Sequence, residues 1–378
     1  MHRVLVLGGG FGGIAAAVAL RARLDPTDEV VLVERRPTFV MGLRKNWALV
    51  GASTLAHGER PLAALRERGI DVVAGTIEAI RPDAREADVD GRTVAADTLV
   101  VALGAERDPD RIPGFREHAI DVYSEASSEA GAAAVDAFTG GRVVIGIFGV
   151  PYPCPPGPYE LALLLADRLG ERGIAGGLFV FSPQPLSLPV LGEAGCATFE
   201  GRLAAEGITF RSKTTATAVE PGVVVAADTR IPFDLLLGVP PHRVPGVVSA
   251  AGLAEPGAWV KVNPATLETR FPGVYAIGDV TAIPLSTGQP LPKAGVFAHA
   301  QGDVVASRIA DAFAGREPTA VFDGHGMCFL ETGHGRATMV RGNFYATPPD
   351  VALAEASEDH LAEKHAFETD RLAAWFGA

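Results

Sequence analysis

The chain has 378 residues, 48% hydrophobic and 21% charged, with a formal net charge of −12. That length suggests two domains, or two plus a small third, with enough apolar residues for a real core. The acidic balance argues against a nucleic-acid partner, which needs clustered Lys and Arg, and no apolar run approaches the ~20 residues that span a bilayer. Three cysteines, Cys154, Cys196 and Cys328, do not make a disulfide framework. The opening "MHRVLVLGGG" runs at once into strand-like sequence, without the regions of a signal peptide, which predicts a cytoplasmic protein.

The first segment, "RVLVLGGGFGGIAAAVALRARL", reads as a strand, a Gly-rich turn and an Ala-rich helix. Gly8, Gly10 and Gly13 fit G-x-G-x-x-G, with Phe11 and Gly12 between them. In that pattern the first glycine turns the chain, the second lets backbone approach a pyrophosphate, and the third packs the helix onto the strand. The next strand, "EVVLVE", ends in Glu34, 21 positions after Gly13, where a carboxylate can accept hydrogen bonds from an adenosine ribose. Arg35 follows it.

Two later segments favour FAD as the dinucleotide. "DTLVVALGAE" is a strand running through Ala102 to Gly104, and "FPGVYAIGDV" is a strand that stops at Gly278-Asp279, where an acid can accept from a ribityl hydroxyl. Next comes "LPKAGVFAHAQGDVVASRIADAF", a predicted helix with apolar positions Val296, Ala300, Val304 and Ile309. Its N-terminal dipole, with Lys293 and Ala294 just ahead of it, suits negative charge on the edge of a reduced flavin. Ile77 completes the set of candidate cofactor contacts.

These segments span some 240 positions yet serve one cofactor, so the chain between them reads as an inserted domain. It has a strand ("VVIGIF"), a helix ("YELALLLADRLGERG"), a second strand ("GLFVFS") and a strand-rich end. Between the first strand and the helix lies "GVPYPCPPGPYE". A nicotinamide-binding corner needs glycines there. Instead Pro151, Pro153, Pro155, Pro156 and Pro158 remove five N–H donors and fix φ around Cys154. Cysteine is usually a small core residue, and Cys196 is read that way. No zinc or iron–sulfur spacing is present, so no metal is expected.

The segments "VLVLGGGFGGIAAA", "GVYAIGDV" and "LPKAGVFAHAQGDVVA" resemble the two-domain flavoprotein reductases of glutathione-reductase type. The stretch "CPPGPYE" is more specific. It is similar to sulfide:quinone oxidoreductases and the flavoprotein of flavocytochrome c sulfide dehydrogenase, with type II NADH dehydrogenases as more distant relatives. The resemblance covers nearly the whole chain. It implies an α/β fold of two Rossmann-like domains and a short C-terminal region. Residues 1–109 and 241–315 would form the FAD domain, 110–240 a degenerate NAD-type domain carrying the cysteine loop, and 316–378 the C-terminal region.

The resemblance also implies an enzyme with a redox pair beside the flavin. The pair would be Cys154 and Cys328, with Glu160, six residues after Cys154, handling protons. Sulfide, or a related persulfide or thiol, would be the donor, and a quinone is one candidate acceptor. Two alternatives stay open: an NAD(P)H dehydrogenase in which the cysteines are incidental, and a non-catalytic FAD-binding protein. The tail 351–378 carries six acids and two bases, with Leu372, Trp375 and Phe376 on one side of a predicted helix. That charge disfavours an anionic leaflet, so the tail is expected to pack on its own protein or on a second copy in a homodimer. Peripheral attachment at the inner membrane face is the alternative placement.

Overall fold

The computed structural model describes residues 1–377. Arg3–Leu7, with Val4 to Leu7 fully buried, is the central strand of a five-stranded parallel sheet. Thr98–Val101 and Val274–Ala276 extend the sheet on one side, and Glu29–Glu34 and Asp71–Ala74 on the other. These strands read as unbroken aliphatic runs because helices and loops cover both faces. The sheet is completed only when the chain returns at Val274, after a second sheet has been built.

That second sheet is also parallel and five-stranded, in the order Ile120–Asp121, Leu235–Val239, Gly141–Ile147, Gly176–Phe181 and Ile208–Arg211. The helix Gly157–Glu171 follows its middle strand. An antiparallel sheet of His325–Gly333, Arg336–Asn343 and Asp350–Leu353 comes last, before the terminal helix Glu358–Phe376. Among the described residues no helix is long and apolar enough to cross a membrane.

Two helices frame the first glycine corner. Phe11–Arg23 crosses Gly295–Phe313 so closely that a Cβ on Gly302 would lie 2.9 Å from the Ala16 nitrogen and 3.1 Å from the Gly12 oxygen. The buried face of the second helix runs through Phe297, Ala298, Gln301, Gly302, Val305, Ala306 and Ile309. Of the positions expected from periodicity, Val296, Ala300 and Val304 are only half-buried. The small residues Ala298 and Gly302 make the close crossing, and they are weak marks in an apolar pattern.

The terminal helix begins at Ser357, whose Oγ accepts a hydrogen bond from the His360 amide at 3.1 Å. It packs on the body of the protein through Lys364, Glu368, Leu372 and Trp375. Trp375 meets Phe11 edge to face at 4.8 Å and Phe39 at 5.6 Å, while Phe376 stacks on Phe39 at 6.2 Å.

Candidate active site

The glycine corner is shaped by backbone contacts. A Cβ on Gly13 would sit 1.8 Å from the Gly8 oxygen, and one on Gly8, where φ is +108°, would sit 2.5 Å from the Ala102 oxygen. Gly10 differs, because nothing lies within 4 Å of its Cβ direction. Space therefore opens at the start of the helix Phe11–Arg23, where free N–H groups and the helix dipole attract an anion. Glu34, at the end of its strand, accepts from the Gly9 amide at 2.9 Å and the Arg36 amide at 3.0 Å. Burial works against its charge, but Arg36 and these amides hold its pKa below the ordinary glutamate value. Arg35 is exposed and Ile77 half-buried.

Across the corner, Gly278 takes φ of +71°, and its amide donates to Gln301 Oε1 at 2.7 Å. Asp279 follows it in a cavity also lined by Thr281, Leu291, Lys293 and Phe297. Burial pushes the Asp279 carboxyl above its ordinary pKa, opposed only by Lys293, and no protein donor among the described residues engages it. A half-buried acid without a partner next to an anion-binding helix start suits a polyhydroxylated dinucleotide such as FAD. Lys293 is buried, 5% exposed, with Nζ 2.6 Å from the Asp279 oxygen, 2.7 Å from the Thr281 oxygen and 3.5 Å from the Trp259 ring centroid. Burial pushes its pKa down to about 8. It is not a solvated loop lysine, and two of its three donors are committed to backbone.

The proline loop is tied directly to this segment. The Cys154 amide donates to the Lys293 oxygen at 2.6 Å, and Pro153 pairs with Lys293 as a parallel bridge. The Tyr123 hydroxyl donates to the Cys154 oxygen at 3.0 Å, and the Tyr152 hydroxyl to the Pro155 oxygen at 2.9 Å. Cys154 itself has φ of +49°. A side chain in that region costs on the order of 1 kcal/mol, and the surrounding hydrogen bonds hold it there. The loop thus presents an exposed thiol at the start of the helix Gly157–Glu171.

Cys328 arrives from the strand His325–Gly333, half-buried, close enough to Cys154 that each thiol acts on the ionisation of the other. The neighbouring Cys328 thiol, with the Gly157 amide and Lys364, lowers the Cys154 pKa against burial and the Glu160 charge. The Cys154 sulfur beside it and burial push Cys328 well above the ordinary thiol value. Cys196 lies in the core of the second sheet, its thiol donating to the Leu188 oxygen at 3.0 Å. The structure thus brings together two of the three cysteines, 174 positions apart, and leaves the third in a core.

Glu160 is 4% exposed and fully engaged. It accepts from Asn46 Nδ2 at 3.0 Å, the Glu331 amide at 2.9 Å and Lys364 Nζ at 2.8 Å. Asn46, Trp47, Glu331 and Lys364 are residues that sequence reasoning missed. Spacing holds one signal for them. Lys364 and Glu368 continue the buried stripe of Leu372 and Trp375 along the terminal helix, and charges on a buried stripe call for partners.

The second corner is lined differently from the first. A Cβ on Gly146 would lie 2.6 Å from the rings of Phe148 and Phe181, and Tyr159 in the first turn is buried against Phe199 at 5.6 Å and Phe210 at 5.7 Å. Aromatic rings and prolines stand where a phosphate cradle would need open amides.

The family model described as pyridine nucleotide-disulphide oxidoreductase matches residues 2–146. The mitochondrial sulfide:quinone oxidoreductase of Mus musculus is 23% identical over 378 residues, covering 95% of this chain and 82% of its own. The sulfide-quinone reductase of Aquifex aeolicus is 28% identical over 336 residues, covering 82% and 76%. The X-ray structure of the sulfide:quinone oxidoreductase from Aquifex aeolicus superposes with a TM-score of 0.90 at 24% identity, covering 100% of this chain and 92% of that one. The chain is thus similar over most of its length to sulfide:quinone oxidoreductases, its first part matches the pyridine nucleotide-disulphide oxidoreductase model, and its paired parallel sheets and glycine corner have the fold of the Aquifex aeolicus enzyme.

Proposed function

We propose that the protein oxidises sulfide through the Cys154–Cys328 pair and passes two electrons through FAD to a quinone. The observation that carries this is the approach of Cys328, from its strand, to Cys154 on a loop whose backbone is bonded to Lys293, beside the Asp279 cavity. In the cradle, the amides at the start of Phe11–Arg23 would face pyrophosphate, Glu34 the adenosine ribose and Asp279 the ribityl chain. Gly8, Gly13 and Ala102 shape the turn, and Gly278 and Ala294 give backbone access.

The cysteines then work as a cycle. Hydrosulfide attacks one sulfur of the Cys154–Cys328 disulfide. That S–S bond breaks, a bond to the incoming sulfur forms, and the other cysteine leaves as a thiolate. A second hydrosulfide, or a small thiolate, removes the outer sulfur as a persulfide and leaves two cysteine thiols after protonation. Bound FAD supplies the two-electron acceptor that allows the dithiol to return to the disulfide. The start of Gly157–Glu171 and the Cys328 thiol favour the Cys154 thiolate that such exchange needs. Glu160 is held beside the thiols by Asn46, the Glu331 amide and Lys364.

A quinone acceptor lies in a membrane, so the proposal has the protein reach the inner face from the cytoplasm as a peripheral protein. The test is steady-state turnover of the FAD-loaded protein with sulfide and a short-chain quinone analogue. The proposal expects quinone reduction that depends on sulfide. Turnover with NADH in place of sulfide, and none with sulfide, would overturn it.

A further inference from the structure

Lys364 is a buried lysine, 2% exposed, on a helix whose acids outnumber its bases. Its Nζ lies 2.8 Å from Glu160 Oε2 and 2.7 Å from Glu331 Oε1. The Trp47 indole N–H donates to the same Glu331 oxygen, and the Asn46 amide donates to Glu160. Nearby, Arg44 is paired with Glu368 through two contacts of 2.6 Å and donates its remaining nitrogen to Ser53 and Thr54, and His365 stacks on Trp47 at 4.9 Å. Lys364 is therefore a single buried cation set between two carboxylates, and its charge acts on both Cys154 and Cys328. Tyr123 and Tyr152 are the other titratable groups close to Cys154, and both are held protonated by burial.

The sequence distances show what this arrangement does. Glu160 belongs to the helix that follows the cysteine loop, Glu331 to the strand that carries Cys328, and Lys364 to the terminal helix. One ammonium ties together the two elements that present the two thiols. A purely apolar contact could join the same elements, and replacing a buried ion pair by apolar residues is often neutral for stability. The two carboxylates give the ammonium a structural reason, and its place between the elements that carry the two thiols gives it a second one.

We propose that Lys364 is a positioning residue of the cysteine site: docking of the terminal helix holds the Glu160 and Glu331 elements together and supplies the positive charge that favours thiolate at Cys154 and Cys328. Its role in turnover rests on the reading of the two cysteines as the redox pair. Its electrostatic effect on them does not.

The test is alkylation of the reduced, FAD-loaded protein with iodoacetamide across a pH series, resolved for each cysteine by mass spectrometry. Lys364→Met should move the Cys154 midpoint up by about one pH unit, as expected when a nearby opposite charge is removed. Glu160→Gln should move it down, because a like charge is removed. Lys364→Arg should restore most of the wild-type midpoint. If Lys364→Met does not retain FAD, the charge-balanced Lys364→Met/Glu331→Gln protein should still shift upward, by less, because a like charge farther from Cys154 goes with the cation. Shifts of opposite sign support the proposal. Unchanged midpoints, or shifts of the same sign for Lys364→Met and Glu160→Gln, overturn it. If Cys154→Ser and Cys328→Ser kept sulfide turnover, the redox reading would fail while these shifts stood. If those variants were inactive and the midpoints did not move, only the present inference would fail.

Discussion

Replacing Cys154 or Cys328 with serine is expected to slow sulfide-dependent reduction of the bound flavin by at least about a hundredfold, because each sulfur is a covalent participant and loss of one member of such a unit removes most of its effect. Folding and FAD content should stay close to wild type. Cys154 is exposed and Cys328 half-buried, so neither contributes much apolar burial. The loop around Cys154 is held by backbone contacts to Lys293 and Gly157 and by the Tyr123 hydroxyl, none of which uses the sulfur as donor. Cys196→Ser is the control. Its thiol donates to the Leu188 carbonyl inside a core, and a serine hydroxyl can make the same bond, so sulfide-driven reduction should be unchanged. Stopped-flow recording of flavin absorbance on the three variants decides the matter. Wild-type rates in both Cys154→Ser and Cys328→Ser would remove the cysteines from the reaction.

The second large effect separates folding from cofactor binding within one motif. Gly13→Ala places a methyl 1.8 Å from the Gly8 oxygen, a backbone atom that cannot rotate away. The helix Phe11–Arg23 must then lift off the central strand, at a cost of more than about 3 kcal/mol as severe overpacking. The protein should be poorly folded and colourless. Gly10→Ala meets nothing within 4 Å, and its φ of −84° suits alanine, so the fold should survive. The added methyl instead enters the space where backbone must approach pyrophosphate, and FAD affinity should fall with little loss of apo-protein stability. Thermal unfolding and flavin fluorescence on the two variants distinguish these outcomes. Equal FAD content in Gly10→Ala and wild type would mean that the pyrophosphate lies elsewhere.

Much of this was legible in the sequence because it is local. The glycine corner, the acid at the end of Glu29–Glu34 and the proline loop each carry their physical reason within a dozen residues. The pairing of Cys154 with Cys328 was not local, and only the resemblance of "CPPGPYE" brought it forward; spacing alone says nothing about two residues 174 positions apart. Glu160 shows the limit in the other direction. Its place in a first helical turn suggested a dipole contact or a proton carrier, whereas the fold surrounds it with Asn46, the Glu331 amide and Lys364 from three distant segments. The phase of Gly295–Phe313 was misread because its tightest contacts use Ala298 and Gly302, which score as weakly apolar. The tail, expected to pack on its own protein or on a second copy, packs on its own, with Trp375 against Phe11 and Phe39.

The second corner explains why hydride donors and sulfide should be told apart by one mixing experiment. Prolines around Cys154 remove the amides that a pyrophosphate would need, and the rings of Phe148 and Phe181 fill the space over Gly146. Anaerobic mixing of the FAD-loaded protein with sulfide, and separately with NADH or NADPH, followed by flavin absorbance, is the most direct measurement. The account predicts rapid bleaching by sulfide and none by either nicotinamide on the same timescale. Rapid, saturable bleaching by NADH or NADPH with no response to sulfide would contradict it.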